Sequence, residues 1–224
     1  MTIDIICPLY KAEKYIDNLH KSFEMQKNVN INKIRYVITK DNDKTEEKVK
    51  KLNCVYKIIE AKEFSHSQTR EQQAFESNAD IIVFVTQDVI IKRNDWLSNL
   101  VQPIVNNECE ASYSRQICDN NTIEKYTRES NYPNESKLVS KSDIDSLGLK
   151  AFFFSDASSA IRRKTFIKLI MKLALARDVN NFMPALLEEP HPYKVLYDVV
   201  EMAENMYTNP NYRENGGIVH PVFL

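Results

Sequence analysis

Three polar residues, Thr86, Gln87 and Asp88, directly follow one of the most apolar runs of the chain, residues 81–85. A continuous run of this kind is typical of a strand buried on both faces of a parallel sheet. A carboxylate at the carboxyl end of such a strand lies at the mouth of a ligand cleft, where its oxygens can hold Mg²⁺ or Mn²⁺. The alternative is that Asp88 only forms a turn or caps the next helix.

The elements that must position these residues alternate along the first half of the chain. Strand patterns and helix patterns follow one another in the order strands 3–7, 34–39, 55–59 and 81–85, and helices 11–27, 45–52, 67–77 and 94–105. This order predicts an α/β fold with a Rossmann-like, mostly parallel central sheet flanked by helices. Because ligands of such sheets bind beyond the carboxyl ends of the strands, the first candidates are the residues that follow each strand, namely 8–10, 39–41, 64–66 and 86–88.

The second half of the chain is less regular. Residues 116–148 are polar and predicted to be loop, with a short helix near 141–147. An apolar run at 152–154 leads into a turn at 155–159 and a basic helix start at 162–164. Residues 166–189 are predicted to be helical, and the proline-containing segment after them is expected to wrap the surface.

The composition excludes several classes of protein. The chain has 224 residues but only 3 glycines, against an average usage of about 7%, so a glycine-rich phosphate-binding loop cannot be built. The formal net charge of −1 argues against a broad nucleic-acid-binding face, and no nucleic-acid partner is predicted. The 4 cysteines lack a C-x-x-C pairing, which predicts reduced thiols. Without a signal peptide or a long apolar segment, we expect a cytoplasmic protein.

Five motifs, in one order over residues 3–165, resemble family 2 glycosyltransferases with the GT-A fold, in particular the rhamnosyltransferase-like branch. Residues 8–15 look like the family's P-x-Y-N-x-E opening, residues 64–71 its F-x-H-G-x-T-R-N segment, residues 86–88 the T-Q-D form of its metal motif, residues 113–116 its Y-G-R-Q, and residues 152–163 its F-F-F-S-[ND]-x-x-S-A-x-R-R. Each motif alone is weakly specific, and their order and spacing together carry the resemblance.

The resemblance implies an inverting, metal-dependent transferase. It would move a sugar, rhamnose, from a nucleotide diphosphate sugar (dTDP-rhamnose or a UDP-sugar) to a cell-surface polysaccharide or a lipid-linked oligosaccharide. The enzyme would use Mg²⁺ or Mn²⁺ and work at the inner face of the cell membrane, with possible peripheral association. Residues 1–165 would form the nucleotide-sugar-binding core, and residues 166–224 an irregular, helical acceptor-side segment of the same domain.

The same resemblance assigns roles to individual residues. For the donor they are Pro8, Tyr10, Glu13, Asp41, His66, Arg70, Gln87 and Asp88; for the acceptor they are Arg115, Gln116 and Asp156; for the metal they are Asp88 and His220; and the catalytic base is Asp178. Simpler interpretations stay open for several of them. Tyr10 can be packing, His66 can cap a helix, Arg70 can be an exposed cation paired with Glu71 or Glu76, and Asp156 can close a turn.

Two departures from the family pattern favour an alternative, a catalytically impaired member that only binds a nucleotide or a partner. The acidic turn after the second strand comes late, at Asp41 or Asp43. The family's Glu-Asp pair is replaced by Arg177 and Asp178, with Glu188 and Glu189 as displaced substitutes. An arginine that contacts a carboxylate lowers its pKa and weakens it as a base. A sugar nucleotidyltransferase is less consistent, because it usually needs a glycine-rich N-terminal loop.

Overall fold

The computed structural model describes residues 1–117, 123–132 and 134–170, and within them the strands form a six-stranded sheet. The strands are β1 (Thr2–Leu9), β2 (Asn30–Thr39), β3 (Val55–Ile59), β4 (Ile81–Val85), β5 (Ala111–Tyr113) and β6 (Ser158–Arg162). Their order across the sheet is β3-β2-β1-β4-β6-β5. The first four strands run parallel, whereas β6 is antiparallel to both β4 and β5. The predicted α/β fold with a mostly parallel sheet is confirmed.

Helices cover both faces of this sheet. They are α1 (Ile16–Glu24), α2 (Thr45–Val49), α3 (Gln68–Glu76), α4 (Trp96–Val105), α5 (Ile123–Asn131) and α6 (Ile144–Leu147). On one face, α1 and α4 pack against Ile5 and Val83; on the other, α3 packs against Ile6 and Phe84. Because successive side chains of a strand point to opposite faces, β1 and β4 contribute to both cores, and this explains the continuous apolar sequence of β4.

Two segments differ from the prediction in their secondary structure. The segment 158–162 was expected to begin as a turn, but Ser158 and Ser159 are buried in β6, where they pair with β4 and β5. Residues 123–131, expected to be loop, form α5, whose two large apolar side chains, Ile123 and Tyr126, are both exposed. Sequence prediction depends on a buried apolar periodicity, which the exposed side chains of α5 do not provide. The strand β6 is determined instead by its long-range pairing with β4 and β5.

None of the helices in the described ranges is long and apolar enough to cross a membrane.

A buried histidine lies between α1 and the sheet. The Nδ1 atom of His20 lies 3.0 Å from the Tyr36 hydroxyl on β2, and its Nε2 atom lies 3.5 Å from the Glu24 carboxylate. Burial lowers the pKa of His20 below its usual 6.5, and the nearby Glu24 only partly offsets this effect. The neutral form therefore stabilises the folded state fully above about pH 6.5, and this contribution is lost as the pH falls below that value.

We therefore expect the free energy of unfolding of the parent protein to decrease more steeply between about pH 7 and pH 5 than that of a His20→Gln variant, which cannot titrate there. Urea denaturation at several pH values, at constant ionic strength, measures both slopes. Equal slopes would show that His20 takes up its proton as readily in the folded protein as in the unfolded chain.

Candidate functional site

The carboxyl ends of β1, β2 and β4 meet at one edge of the sheet, and an open cleft of about 500 Å³ lies between the connections that follow β1 and β2. Its lining is Lys11, Glu13, Lys14, Asp41, Asn42, Asp43 and Lys48. Two predicted donor residues, Glu13 and Asp41, are thus brought together. Tyr10 lies beside them, since the Lys11 ammonium is 5.1 Å from the centre of its ring, and Pro8 lies two residues earlier on β1.

Charges of both signs line this cleft. The Lys11 ammonium lies 3.5 Å from the Asp41 carboxylate. The pKa of Asp41 is lowered, mainly because its carboxylate accepts a hydrogen bond from the Asn42 backbone N–H and in addition because Lys11 is near. Lys11 has a backbone φ of 50°, a left-handed conformation that a non-glycine residue adopts at a free-energy cost. An uncommon backbone conformation at a cleft is a feature often found at functional sites.

Side chains of the β2–α2 connection hold the backbone of the β1–α1 connection. Thr45 Oγ1 accepts a hydrogen bond from the Ala12 N–H at 2.8 Å, and Asp43 Oδ2 accepts one from the Glu13 N–H at 3.2 Å. The Thr45 hydroxyl in turn donates to Asp43, and the Lys48 ammonium donates to the Glu13 carbonyl at 2.7 Å. The wall of the cleft is therefore built by contacts between the two connections. The turn was predicted, but this bracing role of Asp43 and Thr45 was not.

Gln87 lies at the same edge and is paired with the backbone of Tyr10. The Tyr10 N–H donates to Gln87 Oε1 at 2.7 Å, and Gln87 Nε2 donates to the Tyr10 carbonyl at 2.8 Å. Gln87, predicted to contact the nucleotide sugar, thus has one N–H donor and one acceptor site of its amide engaged by the Tyr10 backbone.

Asp88, the predicted metal ligand, is exposed to solvent at the end of β4. It lines a smaller cleft of about 270 Å³, which Lys14 and Tyr15 of the β1–α1 connection also line. The Cys7 thiol lies beneath this edge, close enough to Asp88 and Arg70 to respond to their charges. Burial raises the pKa of Cys7 far above its ordinary value, so it is a protonated packing group and not a nucleophile.

Arg70 is buried, with only 8% of its surface exposed, so it is not the exposed cation considered as an alternative. Its Nη1 donates to the His66 carbonyl at 2.7 Å, and its Nη2 lies 3.8 Å from the Asp156 carboxylate. Its Nε atom is buried and makes no hydrogen bond to the described part of the chain. Because a buried N–H without a partner is costly, Arg70 is well suited to receive an anionic ligand.

His66 has two contacts near Arg70. Its carbonyl fixes the guanidinium, and its ring meets the edge of Phe64 with 5.0 Å between ring centres. Ser67 precedes α3 and its side chain makes no capping hydrogen bond, whereas Ser65 Oγ accepts one from the Gln68 N–H at 3.4 Å. The side chain that contacts the start of α3 is thus that of Ser65.

The predicted acceptor residues divide between two places. Asp156 reaches the Arg70 side of the edge, because the neighbouring Ala157 carbonyl accepts a hydrogen bond from the Thr86 N–H at 3.0 Å. Gln116 donates to Ser155 Oγ at 2.8 Å and so braces the same segment. Arg115 instead lines a separate groove of about 520 Å³ along α4.

Of the residues predicted to bind the metal or to act as the base, the structure describes only Asp88. In residues 1–117, 123–132 and 134–170 there is no cluster of three or more His, Cys, Asp or Glu side chains that could hold a metal ion. The exposed Asp88 offers a carboxylate of the type that Mg²⁺ and Mn²⁺ prefer. Asp178 and His220 lie outside the described residues.

Comparison with known proteins gives one family. The model of Glycosyl transferase family 2 matches residues 4–170. The O-antigen chain rhamnosyltransferase RfbN of Salmonella typhimurium is 31% identical over 204 residues, which are 88% of this chain and 64% of that protein. The O-antigen chain rhamnosyltransferase WbaN of Salmonella anatum is 33% identical over 112 residues, 49% of this chain and 36% of that protein. The chain therefore spans less than two thirds of the length of these relatives.

Solved structures share the fold. Glucosyl-3-phosphoglycerate synthase from Mycobacterium tuberculosis, in complex with UDP, superposes with a TM-score of 0.53 at 14% identity, over 94% of this chain and 68% of that one. TarS 1–349 of S. aureus gives a TM-score of 0.56 at 17% identity, over 80% of this chain and 49% of that one. At these identities the likeness concerns the fold alone, which is the GT-A fold.

Proposed function

The chain belongs to Glycosyl transferase family 2, and we propose that it transfers rhamnose from a nucleotide diphosphate sugar to a saccharide by a metal-dependent, inverting reaction. The rhamnosyltransferase names of its relatives support the sugar. The observation that carries the proposal is the meeting, at one sheet edge, of an open cleft with the exposed Asp88 and the buried Arg70, whose Nε lacks a partner in the described part.

Each part of the donor has a candidate holder at this edge. Pro8, Tyr10, Glu13 and Asp41 would hold the base and ribose in the cleft between the first two connections. Arg70, whose fork of donors suits phosphate oxygens, would hold the diphosphate, with His66 beside it. Gln87 would contribute through the position of Tyr10.

Asp88 would hold the divalent cation, with His220 as a further ligand. A neighbouring structure of the same fold, the synthase from Mycobacterium tuberculosis, is described with Mn²⁺ and UDP-glucose, and this supports Mg²⁺ or Mn²⁺ here. When bound, such a cation acts as a Lewis acid that stabilises the departing diphosphate.

The acceptor would approach from the side of Asp156, Gln116 and Arg115. In a single displacement, Asp178 would accept the proton of the attacking hydroxyl group, and the configuration at the sugar carbon would be inverted. Holding both substrates at one edge would provide much of the rate by proximity. The proposed acceptor is a cell-surface polysaccharide or a lipid-linked oligosaccharide, at the cytoplasmic face of the membrane. Residues 1–165 would be the donor core and 166–224 the acceptor-side segment.

A thermal-shift titration tests the donor site. We expect dTDP or UDP to raise the melting temperature of the protein, and we expect Mn²⁺ to increase that shift. AMP serves as the control for unspecific nucleotide binding, since it lacks the diphosphate. No stabilisation by either diphosphate, with or without Mn²⁺, would refute the proposed function.

The second candidate is a family member that binds the nucleotide but does not transfer, and the Arg177–Asp178 sequence favours it. Donor hydrolysis by the parent protein and by an Asp178→Ala variant separates the two. If the parent hydrolyses the donor and the variant does so more slowly, the result supports an active transferase. Equal rates of hydrolysis exclude Asp178 as the base. Nucleotide binding without any turnover would favour the binding protein.

A further inference from the structure

The Gln87 amide and the backbone N–H and C=O of Tyr10 form a closed pair across 77 residues of sequence. Each partner donates one hydrogen bond and accepts one, at 2.7 and 2.8 Å. The pair connects the end of β4, one residue before Asp88, to the end of β1, one residue before Lys11. It therefore bridges the exposed carboxylate and the wall of the cleft of about 500 Å³.

The backbone of the β1–α1 connection, which this pair holds, has an unfavourable conformation at Lys11. Lys11, which follows Tyr10, has a φ of 50°, in a region that side chains with a Cβ atom avoid. Such a conformation persists when the surrounding contacts fix it. On the far side of Lys11, the Ala12 and Glu13 N–H groups are bound by Thr45 and Asp43. Lys11 is thus fixed from both sides, and the contact on the Tyr10 side is made by Gln87.

Among common side chains, glutamine suits this position chemically. A carboxylate of the same length accepts the hydrogen bond from the Tyr10 N–H, but its second oxygen then faces the Tyr10 carbonyl oxygen without a proton between them. Asparagine offers the same amide but is shorter by one methylene group, so it cannot make both contacts without backbone movement.

We propose that Gln87 is a positioning residue, which fixes the β1–α1 connection relative to Asp88 and so presents the nucleotide-binding wall in its binding-competent conformation. The inference rests on the proposed donor site, since it concerns how that site is pre-formed. Gln87 acts through Tyr10 and Lys11 and does not itself contact the nucleotide. Pre-forming a site raises affinity because less ordering remains to be done on binding.

The test compares Gln87→Glu and Gln87→Asn with the parent and with Gln72→Glu, a control that adds the same charge at an exposed position of α3. The measurement is the affinity for UDP and for dTDP, with and without Mn²⁺, from thermal shift at pH 7. We expect both Gln87 variants to bind about fivefold more weakly at pH 7, the effect of about one hydrogen bond, and the control to match the parent.

Amide hydrogen exchange separates positioning from a general structural defect. In Gln87→Glu and Gln87→Asn we expect lost protection within the β1–α1 connection, at the N–H groups of Ala12 and Glu13. The strands of the sheet should keep the protection that they have in the parent.

The experiment distinguishes a failure of the positioning role from a failure of the proposed donor site. If the parent binds neither nucleotide, with or without Mn²⁺, the proposed function fails. If the parent binds and both Gln87 variants bind equally well, the positioning role is refuted while the proposed function stands. Weaker binding of the variants with unchanged hydrogen exchange in the β1–α1 connection would also refute it, since the connection would then be fixed without Gln87.

Discussion

Replacing Asp88 with asparagine is expected to lower the rate of sugar transfer by about two to three orders of magnitude, while the fold is retained. Asparagine has nearly the same shape but no charge, so the variant loses the ability to hold a divalent cation next to the leaving diphosphate. The loss of a group that stabilises charge in the transition state typically has an effect of about this size. Asp88 is exposed at the end of β4, and its replacement leaves the apolar core intact.

The matched control is Asp95→Asn, on the same β4–α4 connection. The Asp95 carboxylate forms a two-pronged ion pair with Arg93 at 2.7 and 2.6 Å, so this variant removes an equal charge from the same connection without altering the β4 edge. We expect it to retain transfer within a few-fold of the parent. Steady-state transfer rates with and without Mn²⁺ are the measurement. An Asp88→Asn variant that still responds to Mn²⁺ as the parent does would contradict the assignment of Asp88.

The shortage of glycine has a structural counterpart in the donor cleft. A glycine-rich loop binds phosphate with free backbone N–H groups, but here the N–H groups of Tyr10, Ala12 and Glu13 are all taken by side chains. In the proposed function, phosphate recognition at this wall would therefore fall to side chains or to a cation. Lys11, Arg70 and Asp88 are the candidates for it. The cleft thus combines a braced, glycine-free wall with charged side chains.

Much of the parallel part of the fold could be predicted because its signals are local. The apolar run at 81–85 gave the bounds of β4, and residues 55–59 gave those of β3. The rule that ligands bind beyond the carboxyl ends of the strands directed attention to Tyr10, Asp41 and Asp88, and these residues do lie at one edge.

The rest of the fold and of the candidate site depends on contacts between distant parts of the sequence. The burial of Arg70 follows from its packing beneath the edge, and nothing in a polar helix sequence indicates it. Arg115 and Asp156 belong to neighbouring motifs and follow or precede paired strands, yet one lines a groove along α4 and the other approaches Arg70. The pairing of Gln87 with Tyr10 is a further contact of this kind.

A buried polar network at the opposite edge of the sheet connects β1 and β2 to the end of α3. Asp4 on β1 is fully buried and accepts hydrogen bonds from Arg35, Asn32 and Ser77, each at 2.7 Å. Arg35 also donates to the Glu76 carbonyl at 3.2 Å. Every oxygen of the carboxylate is thus occupied, the condition under which a buried charge is tolerated.

Removing one partner of this network is expected to destabilise the protein strongly. Asp4→Ala leaves the Arg35 cation buried without its counter-ion, and the expected loss is about 3–5 kcal/mol of the free energy of unfolding, measured by urea denaturation at pH 7. Because such a loss is a large part of the stability of a typical domain, Asp4→Asn is the milder second variant.

The double variant Asp4→Leu/Arg35→Met, which removes both charges, should be more stable than Asp4→Ala, since no unpaired charge remains. Asp17→Ala, which removes an exposed ion pair with Lys48, is the control and should have a far smaller effect. If Asp4→Ala were no more destabilising than Asp17→Ala, the network would not stabilise this edge.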